Sequence, residues 1–135
     1  GILNVGRISW SFRLPHKTAT NASNIAYTLH FYAGTHKQAL REKANKALQA
    51  GLALIVSEWG TVNADGDGNI DEESTGAWLD FLRQHQLIHC AWSVTNKREG
   101  SALLTPNAAS NGQWQSADLS KNGHFLKDII QQWGY

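Results

Sequence analysis

Three side chains carry the most chemical information in this sequence: His30, Tyr32 and Glu58. Glu58 and Ser57 follow Leu52-Ala53-Leu54-Ile55-Val56, a run that is apolar at every position. A carboxylate at the end of a buried strand is costly unless it is paired or used. Used, it could attack an anomeric carbon and form a glycosyl–enzyme ester that water later hydrolyses. Unused, it would be a structural carboxylate bonded to loop amides, and its position leaves both readings open. His30 and Tyr32 share strand parity, so both side chains point to the same side. A tyrosine hydroxyl donating to Glu58 would hold the carboxylate ionised and oriented, and a neutral imidazole could order the same network. A lone histidine would be read as a satisfied core residue; three groups converging on one rim argue against that.

The elements that must position these groups are legible as periods. Short apolar runs at 2–8, 25–32, 52–57 and 87–94 read as buried strands. The third suits a strand covered on both faces, as in a parallel sheet. Between them lie helical periods. Thr35-His36-Lys37-Gln38 has capping-box spacing, Leu40, Ala44, Ala47 and Leu48 share one face, and Gly51 can close the C-terminus. Asp71-Glu72-Glu73 places acids at a helix start, ahead of a buried face of Trp78, Leu79 and Leu82. Ser120 can cap a last helix bearing Phe125, Leu126, Ile129, Ile130 and Trp133. Residues 11–24, with Pro15 and several Thr, Asn and Ser, read as a long loop. Strands alternating with helices predict an α/β fold with a parallel sheet, and four such units are half of a (β/α)8 barrel. Chemistry in such folds collects at the C-terminal ends of the strands. The sequence places Trp10, His30, Tyr32, Glu58, Trp92 and Lys97 there.

Composition narrows the classes. A length of 135 residues, 41% hydrophobic and 17% charged, is one domain with a real core, and no linker or repeat divides residues 1–135. Twelve basic against 11 acidic side chains offer no electrostatic reason for nucleic acid or a membrane surface as a partner. No apolar run approaches the roughly 18 residues of a membrane-spanning helix. Cys90 is the single cysteine, so no disulfide can form within the chain, and it reads as a buried small hydrophobe. Six tryptophans are a large share; sugar-binding clefts use such rings, though cores recruit them too. The chain opens on Gly1-Ile2-Leu3-Asn4-Val5-Gly6, with no methionine, basic n-region or signal h-region, and reads like the middle of a fold. The stretch from Asn63 to Asp71 resembles a calcium-binding loop but carries Ser74 where a bidentate glutamate is needed. A Gly/Asp-rich strand-to-helix loop is the better reading.

Three separated motifs agree on a family. Tyr27-Thr28-Leu29-His30-Phe31-Tyr32-Ala33-Gly34-Thr35-His36, Val56-Ser57-Glu58-Trp59-Gly60-Thr61 and Ala91-Trp92-Ser93 resemble, in order and spacing, the later strands of glycoside hydrolase family 5. The likeness is to its bacterial endo-β-1,4-glucanases (cellulases) and runs over nearly the whole chain. It implies the C-terminal half, strands 5–8, of a (β/α)8 TIM barrel. It makes Glu58 the catalytic nucleophile, with His30 and Tyr32 as its companions. Trp92 would stack beneath a sugar on the non-reducing side of the cleaved bond, and Trp10 would line the leaving-group side. Lys97 and Glu99 would hydrogen-bond sugar hydroxyls. The resemblance also implies a β-1,4-glucan substrate, retention at the anomeric carbon, no cofactor or metal, and secretion. Trp114 has no such counterpart, and packing is its default.

One departure matters as much. Retaining hydrolysis needs two carboxyl groups roughly 5 Å apart. The family's acid/base glutamate follows an asparagine at the end of strand four, and no Asn-Glu dipeptide occurs here. Glu42, Glu72 and Glu73 fall in or at the start of helices, and Glu99 already has a sugar-binding counterpart. The expectation is therefore an incomplete catalytic unit. Its open sheet edges would associate with the N-terminal half of the barrel or with a second copy as a homodimer. A non-catalytic carbohydrate-binding α/β unit is the alternative. A generic α/β interaction module would leave the three motifs unexplained.

Overall fold

The apolar run beginning at Leu52 supplies the central strand of a three-stranded parallel sheet. The computed structural model describes residues 25–133; the strand expected at 2–8, the loop at 11–24 and Trp10 lie outside the described residues. In chain order the elements are β1 (Tyr27–Tyr32), α1 (Gln38–Gln49), β2 (Leu54–Gly60), α2 (Glu72–Gln84), β3 (His89–Ala91) and α3 (Lys121–Gln131). A single 3-10 turn, Ser116–Asp118, precedes α3. The sheet order is β1-β2-β3, each pair parallel and joined through a helix, as parallel strands require. The α/β alternation expected from the periods is the observed architecture. Among the described residues no helix is long and apolar enough to cross a membrane.

Alternation decides which face is buried. Leu29 and Phe31 of β1 enter the core with Val56 and Trp59 of β2, against Ala44 of α1, Trp78, Leu79 and Leu82 of α2, and Leu126 of α3. The Phe31 and Trp78 rings stack with centroids 3.9 Å apart and planes 8° from parallel, while Phe31 and Trp59 lie 5.6 Å apart. Burying a side chain of this size contributes about 3 kcal/mol. Val56 and Trp59 are three residues apart, yet both are buried, which a regular strand forbids. The register explains it. Thr28 and His30 pair with Ile55 and Glu58, and His89 and Ala91 pair with Val56 and Trp59, so β2 carries one extra residue against both neighbours. This bulge turns the strand between Val56 and Trp59.

Helix ends follow local chemistry with one exception. Asp71 caps α2, accepting from Ser74 N–H at 2.8 Å, and Ser120 caps α3, accepting from Gly123 N–H at 2.9 Å. At the end of α1, Gly51 N–H donates to Leu48 C=O and Leu52 N–H to Ala47 C=O, with Gly51 at φ +80°. This closure needs a residue that tolerates positive φ. The capping box expected at Thr35 does not form. The N-cap of α1 is Lys37, without a side-chain bond, and Thr35 Oγ1 instead accepts from Ala64 N–H at 2.9 Å. The reason is a turn: Thr35 and His36 N–H both donate to Tyr32 C=O, which leaves Thr35 facing the loop after β2.

Two further expectations change. The strand expected at 87–94 shortens to His89–Ala91, because Ser93 and Thr95 give their carbonyls to Leu103 and Leu104 N–H in the following loop. Cys90 is exposed rather than buried. On β3 the His89 ring packs against Trp59 and Trp133, so alternation sends Cys90 to the opposite face, which carries none of the described helices.

Candidate active site

The bulge in β2 sets the site. It releases Ser57 and Glu58 to the face opposite the helices, where β1 alternation also delivers His30 and Tyr32. Tyr32 Oη donates to Glu58 Oε1 at 2.7 Å. His30 Nδ1 lies 3.7 Å from Glu58 Oε2, an electrostatic approach longer than a hydrogen bond, and His30 Nε2 lies 2.8 Å from Ser57 Oγ. A carboxylate only accepts, so a neutral His30 is best served with its proton on Nδ1 and Nε2 accepting from Ser57. Gly60 permits the arrangement: a Cβ there would sit 2.6 and 2.7 Å from two Tyr32 ring carbons. Burial pushes the Tyr32 phenol well above its ordinary range, reinforced by the hydrogen bond to Glu58 and the charges of Glu58 and Glu99. Tyr32 is therefore a fixed donor, unable to act as an anion, and one carboxylate oxygen stays committed to it while the other remains available.

The rim is completed from the loop after β3. Trp92 N–H donates to Trp59 C=O at 2.7 Å, which ties the Trp92 main chain to β2, and the residue is 44% exposed. Glu99 accepts from Ser101 Oγ at 3.0 Å and lies 3.9 Å from Lys97 Nζ. The loop is tied down from beneath. Buried Asn122 of α3 accepts from Thr61 Oγ1 at 2.6 Å and donates to Ser101 C=O at 3.0 Å. Asp67 Oδ1 accepts from Gly100 N–H at 2.9 Å, and Gly66 C=O from Ser101 N–H at 2.9 Å. The Asn63–Asp71 stretch is thus a strand-to-helix loop clasping its neighbour, with Asp65 closing a turn on Asp67 N–H. Among the described residues no group of three or more His, Cys, Asp or Glu could hold a metal ion.

The structure therefore brings His30, Tyr32 and Glu58 together and places Trp92, Lys97 and Glu99 on one loop; Trp10 lies outside the described residues. Tryptophan count was a diluted signal. Trp59 and Trp78 are core residues, Trp133 lies under Arg83 and against His89, and Trp114 donates to Ala109 C=O to brace its own loop. Sequence reasoning assigned no role to Ser57, Gly60 or Asn122, and met Asp67 only within the stretch that resembles a calcium-binding loop. Gly60 stood two residues past the informative carboxylate. Asn122 had no readable signal, since its partners lie 61 and 21 residues away.

Comparison with known proteins settles the lineage of this arrangement. Residues 2–98 match the model of the cellulase family, glycosyl hydrolase family 5. The chain belongs to glycosyl hydrolase family 5. It is 43% identical to Endoglucanase Z of Dickeya dadantii over 99% of its own length and 30% of that protein. It is 42% identical to Endoglucanase A of Evansella cellulosilytica over 97% of its length and 27% of that protein. A structure from Cytophaga hutchinsonii superposes with a TM-score of 0.80 at 43% identity, covering 84% of this chain and 37% of that one. The Thermobifida fusca endoglucanase Cel5A catalytic domain, solved with cellotetraose, gives 0.77 at 26% identity, covering 83% and 37%. This family 5 chain thus spans between 27% and 37% of the length of these relatives.

Proposed function

We propose that this chain is the nucleophile-bearing part of a retaining endo-β-1,4-glucanase. Glu58 attacks the anomeric carbon of a β-1,4-glucan, and an acid/base glutamate from the N-terminal half of the barrel first protonates the leaving oxygen, then activates water. The observation that carries this reading is the Tyr32–Glu58 hydrogen bond with His30 behind it. A donor phenol removes negative charge from one oxygen and aims the other, as attack on carbon requires. Trp92 offers a flat apolar surface for a pyranose ring, and Lys97 with Glu99 offers hydroxyl partners. A polymeric glucan substrate is what supports a site of action outside the cell.

The test separates attack from leaving-group protonation. A fluorinated cellobioside with a dinitrophenolate leaving group needs no acid, so Glu58 alone can form the ester. Incubation of the chain with this reagent should add one fluorocellobiosyl group to the peptide containing Glu58, read by mass spectrometry. An adduct on another carboxylate, or none at saturating reagent, overturns the assignment. A second reading, carbohydrate binding without turnover, is favoured by the exposed Trp92. Cello-oligosaccharide binding that survives Glu58→Gln but is lost in Trp92→Ala, with no adduct, would select it.

A further inference from the structure

We propose that His36 is a positioning residue for the Glu58 site: its imidazole clamps the main chain of Tyr32 and thereby holds the phenol on Glu58. The inference rests on reading Glu58 as the working carboxylate. Tyr32 N–H donates to His36 Nδ1 at 2.8 Å, and Tyr32 C=O accepts from His36 N–H at 2.7 Å. One residue, four positions on, thus holds both main-chain polar groups of Tyr32. The ladder explains why β2 does not serve the Tyr32 N–H. Ala33 N–H donates to Gly60 C=O on β2 at 2.8 Å, and in a parallel ladder successive N–H groups point to opposite sides. Tyr32 N–H points away from β2, and the imidazole meets it.

His36 is itself anchored in the core. Its carbonyl accepts from the indole N–H of Trp78 at 2.7 Å, and Trp78 is fully buried. A rigid path therefore runs from the core through Trp78, His36 and Tyr32 to Glu58. The clamp demands an unprotonated Nδ1, because a protonated one would set two donors face to face. Burial holds the His36 imidazole below the usual histidine range and so favours the neutral form. Charged groups on the neighbouring elements include Lys37 and Arg41 of α1 and its cap, Asp71, Glu72 and Glu73 at the start of α2, and His30 and Glu58 on β1 and β2. Lys37 pairs with Asp71, and the Arg41 guanidinium lies 5.4 Å from the Trp78 ring centre. With a lowered folded-state value, the clamp is intact above the ordinary histidine range and is lost as pH falls through that lowered value.

The experiment is an NMR titration of the chain between about pH 5 and 8, with tyrosine phenol carbons and histidine ring carbons labelled. The Tyr32 signal is identified by its loss in Tyr32→Phe. Its phenol carbon is expected to step with the midpoint read from the His36 ring carbons. His36→Asn puts an amide oxygen where Nδ1 lies and cannot titrate, so it should keep the neutral-pH position and abolish the step. His36→Leu should hold Tyr32 at its acid position throughout. A Tyr32 signal that follows His30, shows no step, or keeps its neutral position in His36→Leu overturns the proposal. If His36→Leu does not fold, the wild-type titration and His36→Asn still decide. The titration reads no turnover, so its failure leaves the Glu58 assignment standing, and failure of the fluoro-sugar labelling leaves the clamp standing.

Discussion

The Tyr32 hydroxyl is a single polar group with one partner, which makes its contribution separable. In a barrel containing both halves, Tyr32→Phe should lower kcat on the order of 10²-fold, the scale set by removing one positioned donor. Stability should change by only about 1 kcal/mol, since the ring and its packing stay. Steady-state kinetics beside a denaturant melt checks both, and a variant losing stability while keeping turnover would return Tyr32 to the core. Gly60 offers a complementary probe, because its missing side chain is the space the Tyr32 ring fills. Gly60→Ala should cost about 1–3 kcal/mol by overpacking and push the phenol off Glu58. Gly76, inside α2 with nothing near its missing Cβ, is the control. There Ala should stabilise by about 0.5–1 kcal/mol. Paired denaturant melts read the contrast.

At the scale of elements, the start of α2 couples a cap to a charge pair. Asp71 accepts from Ser74 N–H and pairs with Lys37 beside α1. The Lys37 ammonium, then the Ser74 N–H, hold its carboxyl below the usual carboxylate range, with partial burial opposing them. A depressed folded value means the contribution is present above the unfolded value and lost as pH falls through the folded one. Asp71→Ala should cost about 1 kcal/mol near neutral pH. Urea midpoints of variant and parent should converge in acid, where the parent carboxyl is protonated. A difference that persists there would mean the cap acts without its charge. The bulge in β2 is the other decisive element. It lets Val56 and Trp59 bury on one face while Ser57 and Glu58 serve the other, so core and site share four consecutive residues without conflict.

At the scale of the whole molecule, the described residues form a sheet with helices on one side. Ile55, Ile88, Trp92 and Val94 remain exposed, and β1 and β3 are edges of the described sheet. Open edges and apolar surface favour another chain. We expect the isolated chain to be a dimer or larger assembly, or to bind the N-terminal half of its barrel. Light scattering that finds a well-folded monomer at micromolar concentration, with no second polypeptide, would refute this. The chain alone is expected to release almost no reducing sugar from soluble cellulose derivatives, since among the described residues no second carboxyl faces Glu58 as a donor for the leaving oxygen. Adding the complementary half should restore release, and release without it that persists in Glu99→Gln would show the acid/base to be misplaced.

Local physics made much of this legible. Helical and strand periods, the Asp71 and Ser120 caps, the Gly51 closure and the shared parity of His30 and Tyr32 each depend on residues within a turn or two of one another. The three motifs also marked the family before any contact was known. Tertiary structure decided the rest. The β2 bulge exists only against two neighbouring strands, and it is what places Glu58 beneath Tyr32. Thr35 had the right spacing for a cap, yet a tight turn onto Tyr32 gave it to Ala64 instead. Cys90 looked apolar enough to bury, but parity on a strand covered on one face exposed it. Those outcomes rest on which groups meet across 20 to 60 residues of chain, for example Asn122 with Thr61 and Ser101. Such closure is set by the packing of whole elements, so no local spacing encodes it.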